Sequence, residues 1–316
     1  MNEIQMLGLR ADLPIGFMAA CGCLRICERT PSLQGARLRW IPFGGSYRPV
    51  LVTSASADEV VAALIADVKG AANRFALTWS KQIKSANPEE FVGAMRTAYK
   101  QRDFESLAWF SAFGNELCLA RDGAIDSTPF DMSVAQQRFL ADAVKLATEL
   151  SRPKPDVEQS YREALFGPWL YRDDQHSLGW DPSTVKLGAF THKAPTGMPN
   201  TGVRATVWLA FESLPLFPCF YSGTMRTRAL SRARRRLHFQ WPVWSCPLSL
   251  NAVSTILSWR SILIDKAPKE AAVAEFKARG ITALYRSARY KPNKYLVSFR
   301  MPELLYSGEV TGWTSG

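Results

Sequence analysis

Three histidines in 316 residues leave little imidazole for catalysis, so a Ser/His/Asp or Cys/His site is poorly supported. Six cysteines are too few for a disulfide scaffold at this length, and a reducing cytoplasm is the expected home. No apolar run approaches the roughly 20 residues of a membrane span, so no membrane partner is expected. The N-terminus carries neither a basic leader nor a cleavage site and does not read as a signal peptide. Neither G-x-x-x-x-G-K-[ST] nor G-x-G-x-x-G occurs, which leaves nucleotide hydrolysis and dinucleotide binding without a motif, and no cofactor is expected. Internal repeats and coiled-coil heptads are also missing.

What is present is a globular chain with 47% hydrophobic residues, enough to bury a core and to exclude a disordered or low-complexity protein. Its length suggests two domains, or one large α+β unit with an extension. The formal net charge is +11, but the charge is unevenly placed. Residues 226–300 hold sixteen basic side chains against Asp265, Glu270 and Glu275, a net of +13, which leaves the other 241 residues at −2. A nearly neutral body with one strongly basic segment points to a polyanion, usually nucleic acid. The plainer alternative is a solubilising surface, or cations paired with acids elsewhere in the chain.

The hydrophobic pattern gives an α+β reading: a mixed N-terminal part with several helices (1–150), then a strand-rich basic part with helices (157–316). A short strand is expected at 3–9. Pro14 opens an apolar helix from Ile15 to Cys27, whose Gly16, Ala19, Ala20 and Gly22 suggest close packing on a sheet. Strands follow at 36–41 and 47–52 around Gly44 and Gly45. Ser56 and Glu59 form a capping box ahead of Val60, Val61, Leu64, Ile65 and Val68 on one helical face. Helices are expected at 88–101 and 104–120. A second capping box, Ser133 with Gln136, precedes Phe139 to Leu150. Ser151–Asp156, with Pro153 and Pro155, is the candidate linker. From Phe166 to Pro218 short apolar runs alternate with Pro and Gly. Basic strands are expected at 226–229 and 235–241, helices at 249–259 and 268–279, and a closing hairpin of 281–290 with 294–300.

Three constellations could carry chemistry. Cys21, Cys23 and Cys27 have a C-x-C-x3-C spacing, but inside a helix Cys23 and Cys27 share a face and Cys21 does not, and no fourth ligand is paired with them, so no metal is expected. Asp173, Asp174, His176, Asp181 and His192 form the only acid–histidine concentration; Asp174, His176 and Asp181 are the residues a metal-dependent nuclease would use, although such residues more often make turns. The third is the run Arg226, Arg228, Arg232, Arg234, Arg235 and Arg236, with His238, Phe239, Trp241 and Trp244 downstream. Guanidinium grips phosphate in bidentate fashion, and a strand can give one face to the core and the other to solvent. Arg286, Arg289, Lys291, Lys294 and Arg300 form a second cluster; if the two hairpins share a sheet, one continuous phosphate-binding face is expected.

Several blocks together resemble the large-subunit family of type I-U/I-G CRISPR effector complexes (Cascade). They are Leu7-Gly-Leu-Arg10 with the stretch Leu13 to Arg25, Asp131-Met-Ser133 with Gln136, Gln137, Phe139 and Leu140, and Leu178-Gly-Trp-Asp-Pro182. The stretch Leu209 to Pro218, Phe239 to Trp244 and Pro247 to Leu250 complete the likeness, which runs from about 7 to 250. None of these blocks is a catalytic signature. The resemblance implies a non-catalytic subunit that works with guide RNA, target double-stranded DNA, sister effector subunits and a helicase-nuclease in antiviral defence. It also implies reading of a short motif beside the target. Guide pairing reads most of the sequence, so the protein needs backbone contacts plus a small reader. Asn and Arg can pair with base edges, which makes Lys193, Asn200, Thr201 and Arg204, in and after the 191–202 loop, the candidate readers. A metal-dependent nuclease and a stand-alone RNA-binding module are the alternatives.

Overall fold

The computed structural model describes residues 1–134, 137–153, 155–174, 177–184, 201–233, 236–293 and 296–308, and the chain is α+β. Strand β1 (Asn2–Gln5) leads to helix α1 (Pro14–Arg29), then to β2 (Arg37–Phe43) and β3 (Ser46–Thr53), which form an antiparallel sheet in the order β1-β3-β2. Helices α2 (Ala57–Ala71), α3 (Phe75–Thr78), α4 (Pro88–Lys100) and α5 (Phe104–Phe113) follow. The Ser56–Glu59 capping box is formed: the Ser56 hydroxyl accepts from Glu59 N while the Glu59 carboxylate accepts from Ser56 N.

The helix expected over 104–120 stops at Phe113. Gly114 begins β4 (Gly114–Leu119), which pairs with β5 (Ile125–Ser127) around a turn at Gly123. A Cβ on Gly114 would lie 2.8 Å from Ile125 Cγ2, so the hairpin needs a glycine there. Helix α6 (Phe139–Leu150) is not started by a Ser133–Gln136 box. Gln136 lies outside the described residues, and the Ser133 hydroxyl donates to Asp131 Oδ1 at 2.5 Å, six residues before the helix begins. The expected linker overlaps a helix: Pro155 opens α7 (Pro155–Phe166), where a missing N–H costs nothing, and Lys154 lies outside the described residues.

Of the small residues of α1, Gly22 serves a helix crossing rather than a sheet, while a Cβ on Gly16 would lie 2.2 Å from the Arg10 carbonyl oxygen. After the short strands β6 (Asp173–Asp174) and β7 (Thr201–Gly202), helix α8 (Arg204–Glu212) packs across α1, and a Cβ on Gly22 would come within 1.8 Å of the Leu209 carbonyl oxygen. Fourteen of the sixteen residues of α1 are buried, and Phe17 on its other side meets Trp40, Trp241 and Trp244 at 5.8–6.2 Å between ring centres. The buried apolar side chains of both halves of the chain belong to one continuous core.

The basic half adds β8 (Cys219–Tyr221), β9 (Met225–Thr227), β10 (Leu230–Ala233), β11 (Arg236–Trp244), α9 (Leu250–Ser258), α10 (Glu270–Ala278), β12 (Ile281–Asn293), β13 (Leu296–Phe299) and β14 (Glu303–Ser307). The strand expected at 226–229 lies outside the large sheet, since β9 pairs with β8 in a two-stranded sheet of its own and β10 is the partner of β11. The β10–β11 and β12–β13 hairpins share a five-stranded sheet, β10-β11-β12-β13, with β14 also on β12. The indole N–H groups of Trp241 and Trp244 donate to the carbonyls of Ala11 and Leu38, each at 2.7 Å, and tie this sheet to the N-terminal half. Among the described residues no helix is long and apolar enough to cross a membrane.

Candidate nucleic-acid interface

Antiparallel partners directly opposite one another share a face of the sheet. Phe239 faces Ser287 and Trp241 faces Tyr285 on the side that meets Phe17. His238 with Ala288, and Gln240 with Arg286, lie on the reverse side. The basic side chains are therefore divided between two faces instead of forming one continuous surface.

Several expected phosphate contacts are already engaged within the chain. On the reverse face Arg286 pairs with Glu303 at 2.6 Å and donates to the carbonyls of Ile264 and Asp265 at 3.3 and 3.1 Å. Together with Gln240, which donates to Ile264 O at 2.7 Å, it pins the segment ahead of α10 over that face. Arg289 shares the core side, opposite Phe299, and reaches the Asp131 carbonyl at 3.3 Å; burial pushes its guanidinium below its usual pKa. Arg228 donates to Ser254 Oγ at 2.6 Å, and burial lowers it as well.

Arg226, Arg232, Arg236, Lys291 and Arg300 are exposed. Among the described residues Arg226, Arg232, Arg236 and Lys291 have no carboxylate at ion-pair distance. Arg300 lies 4.3 Å over the Tyr290 ring, a contact that uses its face and leaves its N–H groups for other acceptors. Arg234, Arg235 and Lys294 lie outside the described residues. Arg260, Lys266 and Lys269, which belong to neither cluster expected from the sequence, are also exposed. Lys266 and Lys269 line a shallow groove of about 560 Å³ with Ile264, Pro268 and Glu275. Their Asp-Lys-Ala-Pro-Lys-Glu context reads as an ordinary loop, and only its position over the sheet distinguishes it.

Of the residues proposed to read a flanking motif, Lys193 and Asn200 lie outside the described residues. Thr201 sits in β7 opposite Asp174. Arg204 pairs with Asp156 at 2.7 Å and with Asp173 at 3.4 Å, and its backbone N–H donates to Asp173 at 2.8 Å.

The acid–histidine concentration is only partly visible, since His176 and His192 lie outside the described residues. Asp181 is buried and organises a turn: it accepts from Ser183 N at 2.9 Å, from the Ser183 hydroxyl, and from Tyr171 at 3.2 Å. Burial raises its pKa. Cys21, Cys23 and Cys27 are buried in α1; the neighbouring Cys27 and burial push the Cys23 thiol up, and burial does the same to Cys21. Among the described residues no group of three or more His, Cys, Asp or Glu converges as a metal would require. Compared with models of known protein families and with curated proteins, the chain finds no match.

Proposed function

We propose that this chain is a non-catalytic subunit of a type I CRISPR RNA-guided surveillance complex, contacting guide RNA or target DNA and helping to recruit the helicase-nuclease. The carrying observation is the set of exposed cations without carboxylate partners, Arg226, Arg232, Arg236 and Lys291, beside the exposed Arg300, on the hairpins of the basic half. Free guanidinium and ammonium groups held on rigid strands supply sequence-independent grip on a phosphate backbone. The block resemblance from about 7 to 250 supplies the identity of the complex. In this reading Lys193 and Asn200 are the motif-reading side chains, and Arg204 joins them only by leaving Asp156 and Asp173.

Reconstitution tests the proposal. The chain should co-purify with guide RNA and sister subunits, and target binding should depend on the sequence flanking the target. If the complex binds target equally well without this chain, the proposal fails. Tight RNA binding by the chain alone would favour a stand-alone module.

A further inference from the structure

Tyr99 and Phe104 are 68% and 64% exposed, more than any other aromatic side chain among the described residues. They flank the corner where α4 gives way to α5. Asp103 N donates to the Ala98 carbonyl at 2.9 Å and Arg102 N to the Tyr99 carbonyl at 3.0 Å, which closes the last turn of α4. Tyr99 and Phe104 each adjoin one end of the Ala98–Asp103 bond, so the turn holds them at one corner. Arg96 and Lys100 share the solvent face of α4 with Tyr99, opposite the buried Phe91, Ala94 and Ala98. Arg102, at φ 55°, occupies the left-handed position that such a turn usually gives to glycine.

The acids next to these cations are engaged elsewhere. Asp103 caps α5 by accepting from Ser106 N at 2.9 Å, and Glu105 holds Arg25 at 2.7 Å. Glu89 and Glu90 lie at the opposite end of α4. Among the described residues Arg96, Lys100 and Arg102 make no ion pair. Cations in the last turn of a helix do complement its dipole. That accounts neither for two rings left in water nor for an arginine in a glycine conformation. Arg96 and Lys100, four residues apart, also repel each other. Three separate costs thus meet at one corner, in the part of the chain whose net charge is close to zero.

We propose that this corner binds unpaired nucleic acid, with Tyr99 and Phe104 stacking on bases and Arg96, Lys100 and Arg102 holding the adjoining phosphates. The rings call for a flat π surface, which a single strand presents and a duplex hides within its own stack. The free cations beside them match the phosphate that each nucleotide carries. An anionic bilayer also attracts cations and rings, but insertion needs an apolar face. The solvent side of α4 offers Tyr99 among Arg96, Thr97 and Lys100. The proposal goes beyond the phosphate grip assigned to the hairpins and shares no residue with them.

The test is binding of the full chain to an oligothymidylate of about 20 nucleotides, to an abasic strand of equal length, and to a duplex. The abasic strand keeps the phosphates and removes the bases. The ratio of the two affinities therefore reads stacking and cancels what the hairpins contribute. Wild type should favour oligothymidylate by at least about tenfold. Tyr99→Ala/Phe104→Ala should abolish that preference, leave duplex affinity unchanged and, because both rings are exposed, melt with wild type. Arg102→Gly should weaken both single strands and lower the slope of log K against log salt by about 0.7. It should nevertheless melt about 1–2 °C higher, because glycine relaxes the turn. A purely structural Arg102 would give the opposite pattern, with stability lost and strand binding kept.

Arg232→Ala/Arg236→Ala should keep the wild-type preference for bases, so failure of the hairpin reading leaves this one standing, and the reverse. Equal binding of oligothymidylate and the abasic strand by wild type overturns the proposal. So does an unchanged preference in Tyr99→Ala/Phe104→Ala, or an equal loss of duplex binding in that variant. Flotation with phosphatidylserine vesicles that depends on Tyr99 and Phe104, without a preference for bases, assigns the corner to a bilayer instead.

Discussion

Arg25 on α1 and Glu212 on α8, 187 residues apart, form an ion pair at 3.0 Å with side chains 8% and 0% exposed. Arg29 and Arg74 hold the same carboxylate, and Asp67 and Glu105 balance the remaining guanidinium charge. Burial alone would raise the Glu212 pKa, but Arg29, Arg74 and Arg25 outweigh it and hold the group down to about 2. In the unfolded chain an ordinary Glu titrates near 4.3. The contribution is therefore complete above that pH and is lost as pH falls towards 2, a change on the order of 3 kcal/mol.

Glu212→Gln should cost about 3–5 kcal/mol at pH 7, because it leaves three guanidiniums around a neutral amide. Denaturant unfolding at pH 7 and pH 3 checks both statements. The cost of the substitution should shrink at the lower pH, and an equal cost at both would refute the pairing.

Gly22→Ala should destabilise by at least about 3 kcal/mol, since its Cβ meets the Leu209 backbone at 1.8 Å and neither helix can move without disturbing the core. Gly93→Ala, in α4 with nothing within 4 Å, should instead stabilise by roughly 0.5–1 kcal/mol. Chemical denaturation of both variants is the check; similar changes in both would mean that α1 and α8 are not in close contact.

The arginines should separate into two classes. Replacing Arg232 and Arg236 with Ala should weaken duplex binding for all sequences and reduce the slope of log K against log salt by about 0.9 for each phosphate that is no longer neutralised. Arg286→Ala should lower stability by about 1–3 kcal/mol through Glu303 and the Ile264 and Asp265 carbonyls, with the salt slope nearly unchanged. Binding titrations across a salt series, paired with melting curves, resolve the two; a flat response in the first variant removes the hairpin from the interface.

Purified protein incubated with labelled DNA or RNA and Mg²⁺ or Mn²⁺ should leave the nucleic acid intact. Asp181→Ala should lower the melting temperature by loosening the turn that Ser183 and Tyr171 share. Cleavage by the wild type that disappears in this variant would replace the non-catalytic reading with a nuclease.

Much of the fold was legible where pattern and local chemistry agreed. Ser56 and Glu59 announced α2, Pro14 announced α1, and the alternation around Phe239 and Trp241 announced β11. Helix α8 was missed because it is buried all round, so it lacks the polar face that gives a helix its period. Helix α7 was hidden by reading Pro155 as linker rather than as a first-turn residue, although Val157, Tyr161, Ala164 and Leu165 carry a helical spacing. The length of α5 was overstated because Leu117, Cys118 and Leu119 suit a helix or a hairpin equally, and the choice fell to Gly114 against Ile125. Of the candidate site, the charge was legible but its availability was not. Nothing near Arg286 in sequence shows that Glu303 and the carbonyls at 264 and 265 occupy it.

The cover of α1 also sets a timetable for synthesis. The helix is complete at residue 29, but α8, which closes over Gly22, ends at residue 212. At 5–20 residues per second, a ribosome takes roughly 10–40 s to cross that interval. Throughout it, Met18 and Ile26, which share the face of Gly22 and are fully buried in the finished fold, have no α8 to shield them. The nascent chain is therefore most exposed to aggregation and to holding chaperones before its basic half exists, and slowing translation between residues 29 and 212 lengthens that window directly.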